Sequence, residues 1–61
     1  MITGGVDVGA VSAKAAIVKD EELLASAIIS TGSDVKKSAL EVMAQTLGKA
    51  GLELHNIDFI V

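Results

Sequence analysis

Apolar residues follow two different spacings along this chain, and the spacing changes near residue 34. The first part contains three short, mostly apolar segments: residues 2–8 (ITGGVDV), 13–19 (AKAAIVK) and 23–30 (LLASAIIS). Their β-branched residues and the short breaks between them predict three strands that pair antiparallel, with Asp20-Glu21-Glu22 as a break of hairpin length. The third segment also fits a helical turn, because the spacing in ELLASAI is compatible with either period.

From Val35 onward, apolar residues recur every three or four positions, which is the period of an α-helix. The apolar set is Val35, Ala39, Val42, Met43, Leu47 and Ala50, and the intervening polar set is Lys36, Lys37, Glu41, Gln45 and Lys49. Ser33 or Asp34 can cap the start of this helix, and Gly51 marks its end. We therefore predict a helix over about 35–50, with the apolar set in the core and the polar set in solvent.

The segment after the helix contains a polar connection, LELHN, and a final apolar strand, IDFIV, at 57–61. A helix between two strands implies that they run parallel, joined by a right-handed crossover. The predicted fold is α/β, with the order β-β-β-α-β and a mixed sheet. Because IDFIV is apolar almost throughout, we expect it to be covered on both faces. Residues 1–61 are then expected to be the truncated N-terminal part of one larger domain.

Composition limits the class of protein. The net charge of -3, with no arginine, argues against a nucleic-acid groove or an anionic membrane surface as partner. No apolar run is long enough to span a bilayer and the N-terminus does not look like a signal peptide, so we expect a cytoplasmic protein. The sequence has no cysteine, which leaves neither a disulfide nor a cysteine-ligated metal site within it.

Residues 6–14, VDVGAVSAK, place an acid, a glycine, a hydroxyl and a cation around a predicted turn. A phosphate site needs backbone N–H groups that point one way and a glycine that lets the ligand approach closely. Magnesium favours one or two nearby carboxylates, and a lysine can serve as a point charge on a phosphate oxygen. Asp7, Gly9, Ser12 and Lys14 meet these needs. The alternative is an ordinary hairpin, since Asp-x-Gly is common in turns.

The stretch GVDVGAVSAKAAIV resembles the first phosphate-binding hairpin of the acetate/sugar kinase, heat-shock chaperone and actin ATPase superfamily, whose pattern is Asp-x-Gly-Ser/Thr-x-x-x-Lys. The order of elements also resembles the opening of that ribonuclease-H-like (actin-like ATPase) domain. Within the superfamily, the chain is most similar to the ATPases that activate benzoyl-CoA reductase and 2-hydroxyacyl-CoA dehydratases. Those proteins also pass from the third strand through a Thr-Gly loop, here Thr31-Gly32, directly into the helix.

The resemblance implies that six residues bind ATP and Mg²⁺: Asp7, Gly9, Ala10, Val11, Ser12 and Lys14. Asp7 would face the magnesium ion and its waters. Gly9 and the N–H groups of Ala10 and Val11 would hold the terminal phosphates, with Ser12 near them and Lys14 close to a phosphate oxygen. Ala10 departs from the pattern, which has Ser or Thr at that position, so one hydroxyl contact is absent. No catalytic base is visible in these residues.

The function that the resemblance implies is ATP hydrolysis that drives low-potential electron transfer. Its partners would be the remainder of the ATPase domain, a second subunit in a homo- or hetero-dimer, and a reductase or dehydratase. An iron–sulfur cluster is implied by the resemblance only, since no cysteine is present here. The alternatives are a carbohydrate kinase of the same superfamily, ranked lower because the sequence lacks Trp and Tyr, and an actin-like nucleotide-binding scaffold. The 61 residues alone are expected to be inactive.

Other polar residues have ordinary interpretations. His55 is expected to be a solvated residue of the connection, because a single histidine without partners does not make a metal site. Thr31-Gly32 is interpreted as a turn and helix cap and not as a ligand contact. Asp58 is expected at the polar start of the last strand.

Overall fold

The computed structural model describes residues 1–60, and the predicted order of elements is confirmed. Three strands come first: β1 is Ile2–Val8, β2 is Ser12–Lys19 and β3 is Glu22–Ser30. The helix α1 is Val35–Ala50, which matches the predicted bounds. A short 3₁₀ helix, Leu54–Asn56, occupies the connection that we expected to be irregular, and the strand β4 is Phe59–Ile60. The predicted last strand began at 57, and its final residue, Val61, lies outside the described residues.

The four strands form one mixed sheet in the order β3-β2-β1-β4. β1 and β3 each pair antiparallel with β2, whereas β4 pairs parallel with β1. Thr3 lies opposite Phe59, and Gly4 lies opposite Ile60. The predicted α/β fold with a mixed sheet is therefore confirmed. In the described part of the chain, no helix is long and apolar enough to cross a membrane.

The core lies between α1 and one face of the sheet. Its buried apolar residues are Ala13, Ala15, Ile17, Ala27, Val42, Met43 and Leu47. Small residues on the sheet let the helix approach closely: a β-carbon at Gly4 would lie 3.2 Å from the terminal methyl carbon of Met43. Side chains alternate along a strand, so the residues between the buried ones lie on the opposite face. We call this second surface the open face; it includes Gly5, Asp7, Lys14, Ala16, Ser26 and Ile28.

The core residues predicted for α1 include one that is exposed and omit two that are buried. Val35 is 58% exposed, whereas Ser38 and Thr46 are buried at 4% and 0% exposure. Both buried hydroxyls have hydrogen-bond partners within reach. Thr46 Oγ1 donates to the Val42 carbonyl at 2.7 Å, and Ser38 Oγ donates to the Asp34 carbonyl at 3.1 Å. A helical hydroxyl that bonds the carbonyl one turn earlier can be buried without an unsatisfied polar group.

Capping residues hold both ends of α1. Of the two predicted N-caps, Asp34 caps the helix, because its Oδ1 accepts the Lys37 N–H at 3.1 Å. At the other end, Gly51 adopts a left-handed conformation with φ 70°. The Leu52 N–H donates to the Leu47 carbonyl at 3.0 Å, which is the wrapped ending that a glycine permits.

Three polar side chains outside the core can be compared with their predictions. Lys49, expected in solvent, is exposed, but its Nζ also donates to the Ser26 carbonyl on the edge of β3 at 3.0 Å. His55 is exposed in the 3₁₀ helix, as predicted. Asp58 precedes β4, where its N–H donates to the Ile2 carbonyl at 2.8 Å and its Oδ2 accepts the Ile2 N–H at 2.9 Å. Asp58 thus begins the pairing of β4 with β1.

Candidate functional site

The six residues assigned to Mg-ATP lie together at one end of the β1–β2 hairpin. β1 ends at Val8 and β2 begins at Ser12, so Gly9, Ala10 and Val11 form the connection, which we call the Gly9–Val11 turn. The Gly9 N–H donates to the Ser12 carbonyl at 2.8 Å and closes this turn. Contiguity in sequence, together with antiparallel pairing, is sufficient to bring the six residues together.

Asp7 and Lys14 are direct partners across the β1–β2 pair. Both are exposed and lie on the open face, because the residues that flank each of them along its strand pack in or against the core. Neither charged side chain forms an ion pair or a hydrogen bond with another residue in 1–60. A carboxylate and an ammonium group are therefore available on one surface next to the turn.

The Gly9–Val11 turn also has backbone donors that the fold does not use. The N–H groups of Ala10 and Val11 donate to no atom of residues 1–60. Val11 is 83% exposed, so these donors lie at the surface. Successive free backbone N–H groups in a turn form a concavity that attracts anions. The turn thus has the donors that the sequence predicts for phosphate.

Glycine at position 9 is not required by the fold. Its φ lies outside the left-handed region, the only glycine in that region within 1–60 being Gly51. A β-carbon on Gly9 would lie 3.5 Å from the Ser12 carbonyl oxygen, which is an ordinary contact. Close approach of a ligand, the reason that the sequence suggests for this glycine, stays a prediction.

Thr31 contacts the turn, and the sequence did not predict this. Its Oγ1 donates to the Gly9 carbonyl at 2.8 Å, and its N–H donates to the Val11 carbonyl at 3.0 Å. A signal was available, because antiparallel pairing of β2 with β3 sets Ser12 opposite Ser30 and so brings residue 31 beside residue 11. This contact can be predicted only when the register of β3 against β2 is known, and short segments do not define that register by themselves.

A shallow depression lies on the open face beside Asp7 and Lys14. The depression has a volume of about 760 Å³ and is open to solvent. Its lining includes Gly5, Ala16 and Ser26, which are too small to fill it. The face therefore has room for a ligand next to the two charged groups.

The residues present fit a magnesium ion that arrives with a nucleotide. Within residues 1–60, no group of three or more His, Cys, Asp or Glu side chains is placed to hold a metal ion. A magnesium–nucleotide complex needs fewer protein ligands, because the ion keeps several waters and binds the phosphates. Asp7 alone, exposed and without a protein partner, fits that role. An iron–sulfur cluster has no ligand here, since the sequence contains no cysteine.

Comparison with known proteins supports the fold class. The α/β fold with a mixed sheet is also present in a solved structure. A similar solved structure is component A of the (R)-2-hydroxyglutaryl-CoA dehydratase of Acidaminococcus fermentans, with a TM-score of 0.88 and 24% sequence identity. The match covers 98% of this chain and 23% of that one, so the chain spans about a quarter of the length of the protein it resembles. A scan of protein-family models and a search of curated proteins found no match.

Proposed function

We propose that residues 1–61 form the N-terminal part of an actin-like ATPase domain and supply its first phosphate-binding hairpin. The observation that carries the proposal is the pair of free N–H groups at Ala10 and Val11, flanked by the unpaired charges of Asp7 and Lys14. A plain hairpin has no need for all of these groups at one end. The shared fold with a dehydratase component supports the same class of protein.

Each group has a chemical role in this proposal. The N–H groups of Ala10 and Val11 donate to oxygens of the terminal phosphates, and the Lys14 ammonium neutralises part of their charge. The Asp7 carboxylate would hold a magnesium ion that arrives with the nucleotide, and the charge that such an ion supplies would neutralise part of the phosphate charge. Water attacks the γ-phosphate and ADP leaves, so the hairpin contributes positioning and charge stabilisation without covalent chemistry. Ser12 lies next to the phosphates at the start of β2.

The finer proposal concerns the use of the hydrolysis. We assign it to electron transfer towards a reductase or dehydratase that acts on CoA esters, because the similar structure is a component of such a dehydratase. A second subunit and an iron–sulfur cluster belong to this proposal. Any cysteines that hold the cluster are outside residues 1–61.

A carbohydrate kinase of the same superfamily is a weaker candidate. β3 ends at Ser30 and α1 begins at Val35, so the connection has no room for the aromatic, sugar-contacting insertion of many such kinases. The sequence also has no Trp or Tyr to stack on a sugar ring.

A nuclear magnetic resonance titration of the ¹⁵N-labelled chain with Mg-ATP tests the proposal. We expect weak, millimolar-range binding, with amide shifts concentrated at Asp7, Lys14 and the Gly9–Val11 turn. Weak binding is expected because this hairpin is only one part of a nucleotide site. An absence of shifts at saturating Mg-ATP, or shifts confined to other elements, would overturn the proposal. Sub-micromolar binding would instead contradict the expectation that the chain alone is inactive.

Asp7→Asn tests the metal role within the same titration. The substitution keeps the size of the side chain and removes its charge, so it should abolish the difference between shifts with Mg-ATP and shifts with metal-free ATP. Glu41→Gln is the matched control, because Glu41 is an exposed carboxylate on α1. In a longer protein that contains this hairpin, Asp7→Asn should stop Mg-ATP turnover, and unchanged turnover would contradict the assignment.

A further inference from the structure

Thr31 makes two hydrogen bonds to the Gly9–Val11 turn from a distant part of the sequence. Its hydroxyl donates to the Gly9 carbonyl at 2.8 Å across 22 residues of separation. Its N–H donates to the Val11 carbonyl at 3.0 Å and extends the ladder between β2 and β3. Two of the three carbonyls in the turn therefore point at one residue.

The hydroxyl bond determines where the Ala10 N–H points. Within residues 1–60 every peptide bond is trans, so the carbonyl of one residue and the N–H of the next point in opposite directions. Because the Gly9 carbonyl points towards Thr31, the Ala10 N–H must point away from it. Glycine leaves this peptide plane unusually free to rotate, so a hydrogen bond from outside the turn has a large effect on its orientation.

We infer that Thr31 is a positioning residue of the phosphate-binding turn. Its hydroxyl holds the Gly9–Ala10 peptide in the orientation in which the Ala10 N–H meets a phosphate oxygen. The inference rests on the proposed function and adds a residue that lies outside the hairpin. The physical benefit is preorganisation, because a donor that already points outward loses less conformational freedom when the anion binds.

Thr31 is itself held in place by the first turn of α1. The next residue, Gly32, donates its N–H to Ser38 Oγ at 2.8 Å. Ser38 is buried, and its hydroxyl donates in turn to the Asp34 carbonyl at 3.1 Å. The loop between β3 and α1 is therefore anchored to the helix at one end and to the turn at the other. A binding group supported by regular structure in this way keeps its geometry.

Three variants separate positioning from general stability. Thr31→Val keeps the side-chain shape and removes the donor, and Thr31→Ser keeps the donor. Ser33→Ala removes a hydroxyl from the same loop that makes no hydrogen bond within residues 1–60. The first readout, taken without nucleotide, is ¹⁵N relaxation of Ala10 and Val11. The second is the dissociation constant for Mg-ATP from the shift titration.

We expect Thr31→Val to increase the mobility of the Ala10 amide and to raise the dissociation constant by about threefold to tenfold, the effect of one hydrogen bond. Thr31→Ser should restore both, and Ser33→Ala should match the wild type. Unchanged mobility and affinity in Thr31→Val would overturn the inference, as would loss of affinity in Thr31→Ser. If Thr31→Val does not fold, Thr31→Ala provides the same comparison.

Failure of the proposed function is recognised separately. It would appear as an absence of Mg-ATP shifts in the wild-type chain, which also removes the role inferred for Thr31. Binding by the wild type, with Thr31→Val binding equally well, would overturn the Thr31 inference alone.

Discussion

The two hairpin turns of this sheet differ in how residue type relates to backbone conformation. The β2–β3 turn consists of Asp20 and Glu21, both with left-handed φ values, 49° and 72°, although neither residue is glycine. The Gly9–Val11 turn contains a glycine, yet none of its three residues has a φ in that region. Glycine, the residue that adopts a left-handed backbone most easily, is thus present in the turn without left-handed residues and absent from the turn that has two.

This difference indicates that different requirements explain the residue types of the two turns. The β2–β3 turn is a two-residue connection of the type that favours Asn-Gly, and a left-handed non-glycine residue costs about 1–2 kcal/mol. In this turn Asp20 Oδ1 accepts a hydrogen bond from the Met1 amino group at 2.9 Å. In the Gly9–Val11 turn no residue is left-handed, two N–H groups are free and there is room for a β-carbon at Gly9. A bound anion that needs close approach would account for a glycine there.

The largest effect should come from the strand that both turns share. Ile17 lies on β2 and is fully buried. Ile17→Ala should lower the free energy of unfolding by about 2–4 kcal/mol, because it leaves a cavity under α1. A chain of this size has only a few kcal/mol in total, so both turns should lose their structure together. Urea unfolding followed by circular dichroism measures the effect.

Ile28→Ala is the matched control for that prediction. Ile28 lies on β3 in the open face and is 63% exposed, so the same kind of truncation should cost less than about 0.5 kcal/mol. Equal destabilisation by the two substitutions would contradict the assignment of α1 to the opposite face of the sheet.

The β2–β3 turn should be improved by glycine. Glu21→Gly removes the side chain at φ 72° and should raise the free energy of unfolding by about 0.5–1 kcal/mol. This is the net effect, because the conformational entropy that glycine adds to the unfolded chain opposes the gain. Glu22→Gly, one residue later and inside β3, should destabilise instead. Urea midpoints of the two variants give the comparison. A loss of stability in Glu21→Gly would show that the turn is not strained.

The Gly9–Val11 turn should respond in the opposite way. Gly9→Ala should change the free energy of unfolding by less than about 0.5 kcal/mol, since the fold has space for the methyl group. The same variant should weaken the Mg-ATP shifts at Ala10, because the methyl group blocks close approach of the phosphate. A large loss of stability would mean that the fold requires this glycine, and the comparison of the two turns would fail.

Local patterns were sufficient to predict the elements and to place the six candidate residues in one hairpin. β-Branched residues at 2–8 and 13–19 and helical spacing at 35–50 are properties of short segments, and the bounds agree closely with the structure. The six site residues lie within eight consecutive positions, so the hairpin alone brings them together.

Features that depend on packing between elements could not be predicted in this way. Ser38 and Thr46 were left out of the predicted core because they are polar, but both are buried, with each hydroxyl bonded to the carbonyl one helical turn earlier. The contact of Thr31 with Gly9 depends on the register of β3 against β2. Neither the burial of the two hydroxyl residues nor the Thr31 contact can be predicted from residue propensities and spacing.

The smallest predicted effect concerns the charge in the strained turn. The hydrogen bond from the Met1 amino group, followed by the charge of that group, lowers the pKa of Asp20 below its ordinary value of 3.8. A carboxyl whose pKa is lower in the folded than in the unfolded state contributes stability above the unfolded pKa and loses it as the pH falls through the folded pKa. Asp20→Asn should therefore lower the melting temperature relative to wild type more at pH 6 than at strongly acidic pH.

Comparing the two pH values separates the charge from the turn conformation. Asparagine tolerates a left-handed backbone well, but that preference does not change with pH and cancels in the difference. High salt should shrink the effect, because both groups are exposed. A difference between Asp20→Asn and wild type that is the same at both pH values would mean that the Met1 contact does not stabilise this turn. The strain at Asp20 and Glu21 would then have to be offset by the pairing of β2 with β3.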